Sequence, residues 1–191
     1  MRERIGEIDK VLARCLQGDD AAWELIVRRY QGRVFAVAYH YLRDREEARD
    51  TAQDIFVKVY RQLASLREGD AFLPWLLRLA RNSCIDRLRR LKVRTPPSEV
   101  PVEKVPHIAA DLPDPEEVSM MGARRGLVYR ALGLLSATHR EMILLKEIQE
   151  LKLAEIAQLL ALPLGTVKSR SNRARVELAK AVRSLDPSFE G

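Results

Sequence analysis

The sequence predicts an all-α protein of two small helical domains joined by a flexible linker, the second domain being a helix-turn-helix. Three observations lead there. Apolar residues recur at three- and four-residue steps through most of the chain, and no stretch alternates convincingly with period two. Six of the nine prolines (Pro96, Pro97, Pro101, Pro106, Pro113 and Pro115) crowd between Thr95 and Met120, and each removes a backbone donor and disfavours helix at the residue before it. A length of 191 residues with 47% hydrophobic content can fill two small cores and argues against general disorder.

The first domain is expected over residues 1–94. Met1 to Lys10 alternates in charge and lacks the apolar core of a signal peptide. From Asp20 to His40 the residues Trp23, Ile26, Val27, Tyr30, Val34, Val37 and Ala38 form a helical stripe, with Asp19 or Asp20 as N-cap. A second helix runs from about Arg45 to Leu63, with Ala48, Ala52, Ile55, Phe56, Val59 and Leu63 on one face. After a break at Gly69-Asp70, a third runs from about Leu73 to Lys92. The linker, 95–120, carries six acids and a single base, Lys104. The second domain, 121–191, holds shorter helices at about Val118 to Leu135, Ala137 to Gln149, Leu153 to Leu160 and Leu164 to Leu185.

Composition narrows the function. Lys plus Arg is 33 against Asp plus Glu 27, a net charge of +6 that fits a polyanionic partner. The two cysteines, Cys15 and Cys84, are too few and too far apart for a disulfide framework or a zinc site. His40, His107 and His139 are scattered, and there is no phosphate loop or nucleophile elbow. No catalytic residue, metal or cofactor is therefore expected. No apolar run approaches the roughly 20 residues that span a bilayer, so the expectation is a cytoplasmic protein without membrane insertion.

Three segments carry chemistry. In the first, Leu153 to Leu160 is a short amphipathic helix, Ala161-Leu162-Pro163 a turn, and a second helix starts near Gly165-Thr166, where Thr166 can cap nearby amides. This is a helix-turn-helix layout, whose second helix enters the DNA major groove. With Val167, Ala174 and Leu178 turned inward, Lys168, Ser169, Asn172 and Arg173 fall on the outer face, combining phosphate-binding cations with side chains that read base edges. Leu164 to Arg183 has six bases and one acid, too lopsided for a mixed salt-bridged face. In the second, Arg78 to Arg94 holds seven bases (among them Arg78, Arg81 and Arg87) against one acid, Asp86, just after Phe72 and Trp75. Cations beside aromatics suit a strand with unstacked bases; core packing is the alternative for Phe72 and Trp75, and for Trp75 taken alone it is the better reading. In the third, Asp44 to Asp54 has five acids and two bases, which could bind a basic protein surface, although taken alone a solvated helix start with acids near the positive dipole end is the better reading.

These features, in this order, resemble an extracytoplasmic-function sigma factor, the minimal form of the bacterial sigma-70 family. The resemblance runs from about Asp9 to Leu185. The segment 48–61 is similar to the family's core-polymerase-binding helix, with Asp50, Gln53, Asp54 and Phe56 in matching places. Residues 72–87 resemble its promoter-melting and −10-recognition segment, and 163–175 its −35-recognition helix. The resemblance implies that Asp50, Gln53, Asp54, Phe56 and Tyr60 bind the clamp helices of the polymerase β′ subunit. It implies that Phe72, Trp75, Arg78, Arg81, Asn82, Asp86 and Arg87 serve the −10 element, one of whose bases flips into a pocket of the 66–73 loop. Thr166, Lys168, Ser169, Asn172 and Arg173 would bind −35 DNA, the second domain would also bind the β flap, and an anti-sigma protein would hold the chain inactive until a stress signal. Ser171 stands where the family usually buries an apolar residue, Ala161 at a turn position often held by Gly, and Thr51 and Ala52 where bulkier apolar residues are usual.

The competing reading is a stand-alone helix-turn-helix regulator, since roughly the last 40 residues also resemble the LuxR-type DNA-binding module. Such a repressor has no use for the acidic helix and the basic-aromatic segment ahead of the linker.

Overall fold

The computed structural model describes residues 2–66, 71–94 and 123–188. The predicted linker, the Gly69-Asp70 break, half of the 66–73 loop and the start of the helix expected from Val118 lie outside them. Among the described residues every regular element is helical. The chain divides into two compact units, Met1–Arg94 and Thr95–Gly191.

The first unit opens on a helix that the sequence reading did not assign, α1 (Arg2–Leu16). Along it Leu12 and Cys15 are buried and Ile8 and Val11 half-buried, while Leu16 at its end is exposed. It ends in a Schellman motif. Gly18 adopts φ +81°, its N–H donates to the Cys15 carbonyl (3.0 Å), and the Asp19 N–H donates to the Arg14 carbonyl (3.1 Å). Asp19 then caps α2 (Asp20–Leu42): Oδ1 accepts from the Ala22 N–H and Oδ2 from Arg14. Those two bonds hold the Asp19 carboxyl below the usual carboxylate range.

Arg43, in the left-handed region at φ 59°, ends α2, and Asp44 caps α3 (Arg45–Gln62) by accepting from the Glu47 N–H at 2.8 Å. A single 3₁₀ turn, Leu63–Ser65, follows. The last helix of the unit is α4 (Phe72–Arg94), whose Pro74 sits in the first turn, where no intrahelical donor is lost. Helix α2 packs on both α3 and α4, which also meet each other, and α1 lies on α2. The core is built from Ile26, Val34 and Val37 of α2, Ile55 and Val59 of α3, and Leu76, Leu77, Ala80 and Cys84 of α4. Burial pushes the Cys84 thiol up to about 12 and raises that of Cys15, so both stay protonated and unreactive.

The second unit comprises α5 (Ala123–Leu134), α6 (Ala137–Ile143), α7 (Leu153–Leu160) and α8 (Leu164–Leu185). Arg140 seals the α5–α6 corner, donating to the carbonyls of Leu132, Gly133 and Leu135 at 2.7–2.9 Å. The helix expected from Ala137 to Gln149 does not stay regular. Past Ile143 it widens through Leu144–Ile148, and the Gln149 N–H reaches back five residues to the Leu144 carbonyl (2.8 Å). The reason is visible in the burial: Met142, Ile143, Leu144 and Leu145 are four successive buried residues, more than one stripe of a regular helix can turn inward. Helix α8 carries the unit, contacting α5, α6 and α7. At its far end Leu178 and Ala181 join Val182 against Leu127 and Ala131 of α5.

His40 gives the first unit an acid-sensitive point. Burial, then the nearby Arg43 and Arg81, depresses its pKa from 6.5 to about 4. The folded state therefore binds this proton less readily than the unfolded chain, so the stability is intact above pH 6.5 and drains away between there and pH 4. Between pH 6.5 and 5 the wild type is expected to lose about 1.5 kcal/mol more than His40→Gln, read from urea denaturation at the two pH values. Equal losses in the two proteins would mean that His40 is solvated.

Candidate functional site

Three surfaces come out of these elements. On α3 the buried residues Ala48, Thr51, Ala52, Ile55 and Val59 define an inner face, which fixes what points outward. Asp50, Gln53 and Asp54 are exposed together, and Tyr60 lies further along the same face, 62% exposed. Phe56 is different: it is half-buried at the margin of that face. The sequence reading missed Val57, which is 49% exposed between Gln53 and Tyr60. Its signal was positional, since residues 50, 53, 57 and 60 follow helical steps. Thr51 and Ala52, smaller than the family usually has, face inward.

On α4 the seven −10 candidates do not form one surface. Phe72 is a correction: it is only 4% exposed, its ring edge-on to Tyr30 at 5.1 Å, and a side chain so enclosed cannot stack on a base. It belongs to the apolar stripe that continues through Leu76 and Ala80. Arg87 is drawn the other way, to α3, where Nε and Nη2 both reach Glu47 Oε2 at 2.8 Å. That leaves Arg78, Asn82 and Asp86, each four residues from the next and all exposed, with half-buried Trp75 at the head of the line. Asp86 also meets Arg89 at 3.7 Å. Arg81 sits to one side, half-buried, its guanidinium 5.9 Å from the Tyr41 ring. A mixed groove runs between α3 and α4, lined by Asp54, Lys58, Arg61, Asp86, Arg87 and Arg90.

The third surface lies on the helix-turn-helix. Helix α7 buries Ile156 and Leu159 and half-buries Ala157 and Leu160. The Lys152 N–H at its start donates to Glu155 Oε2 (2.7 Å). Ala161 ends it in the left-handed region at φ 53°, a conformation that costs a non-glycine residue of order 1 kcal/mol. Helix α8 starts at Leu164, with Pro163 at the N-cap. Thr166 therefore does not cap it; it stands inside the first turn, half-buried. Val167, Ser171 and Ala174 are buried, so the serine does occupy an inward position. Lys168, Ser169, Asn172 and Arg173 are all exposed, and the 100° step of a helix places the two cations on either side of the two polar residues. Val176, 53% exposed on the same face, was missed; a lone valine on an amphipathic helix reads as core, yet its methyls suit a thymine methyl. Arg175, two turns beyond Lys168 along the same edge, is paired with Glu147 at 2.7 Å.

Among the described residues no group of three or more His, Cys, Asp or Glu could hold a metal ion, and no helix is long and apolar enough to cross a membrane.

Comparison with known proteins accounts for this arrangement. Residues 26–94 match the family model for sigma-70 region 2, and residues 125–178 that for sigma-70 region 4. The chain is 32% identical over 181 residues to the RNA polymerase sigma-H factor of Pseudomonas aeruginosa, covering 92% of this chain and 94% of that protein. It is 32% identical over 186 residues to the ECF RNA polymerase sigma factor SigW of Bacillus subtilis, covering 93% and 98%. With the ECF RNA polymerase sigma-E factor of Escherichia coli the identity is 33% over 183 residues, covering 93% and 95%. Among solved structures, CnrH in complex with the cytosolic domain of CnrY shares the fold at a TM-score of 0.60 and 23% identity, covering 94% of this chain and 97% of that one. The sigma factor RpoE of Bartonella quintana, in complex with the anti-sigma factor NepR, shares it at 0.61 and 22%, covering 84% and 96%. Region 2 ahead of region 4 disfavours the stand-alone regulator, and with relatives matched over nearly their whole length the chain belongs to the sigma-70 family as an extracytoplasmic-function sigma factor, a transcription-initiation subunit of RNA polymerase.

Proposed function

We propose a division of labour among the three surfaces. The outer face of α3, with Asp50, Gln53, Asp54, Val57 and Tyr60, docks on the clamp helices of the polymerase β′ subunit. The Trp75–Arg78–Asn82–Asp86 line of α4 holds the unpaired −10 strand. Helix α8 enters the major groove at the −35 element, Lys168 and Arg173 gripping phosphates while Ser169, Asn172 and Val176 meet base edges. The second unit also contacts the β flap. The protein works in the cytoplasm and performs no chemistry of its own. An anti-sigma protein restrains it, a reading supported by the complex of the similarly folded sigma factor RpoE with the anti-sigma factor NepR.

The observation that carries this is α8 itself: two exposed cations flank two exposed polar residues, opposite a buried Val167–Ser171–Ala174 stripe. A photo-crosslinking amino acid placed at Asn172 or at Asn82 in the reconstituted holoenzyme tests it. Position 172 should capture the −35 duplex and position 82 the −10 non-template strand; exchanged or absent crosslinks would refute the assignment.

A further inference from the structure

Tyr60 is the most exposed ring on the α3 face, and exposure alone would leave it free to rotate. It is not left alone. The Trp23 indole of α2 lies 4.8 Å from it, centroid to centroid, at an interplanar angle of 48°. Trp23 is in turn held: its Nε1–H donates to the Cys15 carbonyl at 3.2 Å. That carbonyl is one of the last of α1, and it sits in the Gly18 Schellman turn that Arg14 and Asp19 lock from the other side. A chain of fixed contacts thus runs from α1, through the start of α2, to a ring on the outer surface of α3.

We propose that Trp23 is a positioning residue for Tyr60, presetting the phenol ring on the polymerase-docking surface. This inference rests on the docking role proposed above for α3. A ring that is already oriented loses less freedom on binding than a free one, so the pair strengthens association without Trp23 having to touch the partner. It also gives α1 a purpose: a helix with no residue in the docking set is the anchor of one.

The experiment is a double-mutant cycle in the full-length protein, reading affinity for core RNA polymerase together with the melting midpoint. Trp23→Leu, which keeps an apolar side chain but removes the ring, should weaken binding about threefold to tenfold, the range that such aromatic pairs carry. Trp23→Phe, which restores a ring beside Tyr60 but lacks the N–H that holds the indole to the Cys15 carbonyl, should recover only part of that loss. Tyr60→Ala should weaken binding at least as much as Trp23→Leu, and the double variant no more than Tyr60→Ala alone. A purely structural tryptophan gives the opposite pattern: a lowered melting midpoint, losses that add to those of Tyr60→Ala, and no selective rescue by Phe. Full additivity, or unchanged binding in Trp23→Leu, overturns the proposal. Asp50→Arg, run in parallel, separates the two levels. If it abolishes binding while Trp23→Leu does nothing, only the positioning role is lost; if Asp50→Arg binds normally, the docking surface is wrong and the positioning role falls with it.

Discussion

Asp50→Arg is expected to abolish binding to core RNA polymerase and to leave the fold unchanged. Asp50 is exposed on the outer face of α3, turned away from Ala48, Ile55 and Val59, which hold that helix in the core. The substitution replaces one charge by its opposite where a basic partner surface is proposed to sit. Like charges brought face to face across an interface cost several kcal/mol, a loss of at least about 100-fold in affinity. Arginine is a good helix former and the site is solvated, so the melting midpoint should move by no more than about 0.5 kcal/mol of stability implies. Titration of core polymerase with the purified variant, alongside a thermal melt, gives both numbers. Normal binding by the folded variant would take the docking role away from α3.

Lys168→Ala combined with Arg173→Ala is expected to reduce transcription from a −35-dependent promoter by at least about tenfold, since phosphate contacts supply much of the affinity for duplex DNA. The loss has a signature beyond its size. Removing two phosphate contacts lowers the salt dependence of promoter binding by about two in the log–log slope. Arg175→Ala is the internal contrast. Its guanidinium is committed to Glu147 at 2.7 Å, so its loss should lower the stability of the second unit and leave the salt slope alone. Transcription insensitive to the double substitution would remove α8 from −35 recognition.

Much of this was legible before any coordinates. Asp19, offered with Asp20 as the cap of its helix, takes that role because a carboxylate just ahead of an apolar stripe is the local solution to unpaired amides; Asp44 caps the next helix in the same way, a role the sequence reading does not assign it. The outward set of α8 followed from helical geometry once Val167 and Ala174 were taken as buried. What escaped depends on partners distant in sequence. Phe72 beside a run of cations looks like a nucleic-acid platform until Tyr30 is found against its ring. Arg87 reads as a DNA cation until Glu47, on another helix, is found to hold it. Helix α1 was obscured because its first turns alternate in charge and Cys15 is a weak signal of burial. The widened turn after Ile143 needed knowledge that all four residues Met142 to Leu145 are enclosed. Val57 and Val176 were passed over because a valine at helical spacing is assumed to face inward, whereas both lie on outer faces.

The central claim, that this chain directs RNA polymerase to promoters through surfaces on both units, is tested most directly by reconstitution. Purified protein is mixed with core RNA polymerase and a library of promoter-length DNA fragments, and the start sites of the transcripts are mapped. The account predicts transcripts from a discrete subset of fragments sharing a −35 and a −10 element, lost with Asp50→Arg and reduced by the Lys168→Ala, Arg173→Ala pair. Transcription no more selective than that of core polymerase alone, or a selectivity that survives Asp50→Arg, would contradict it.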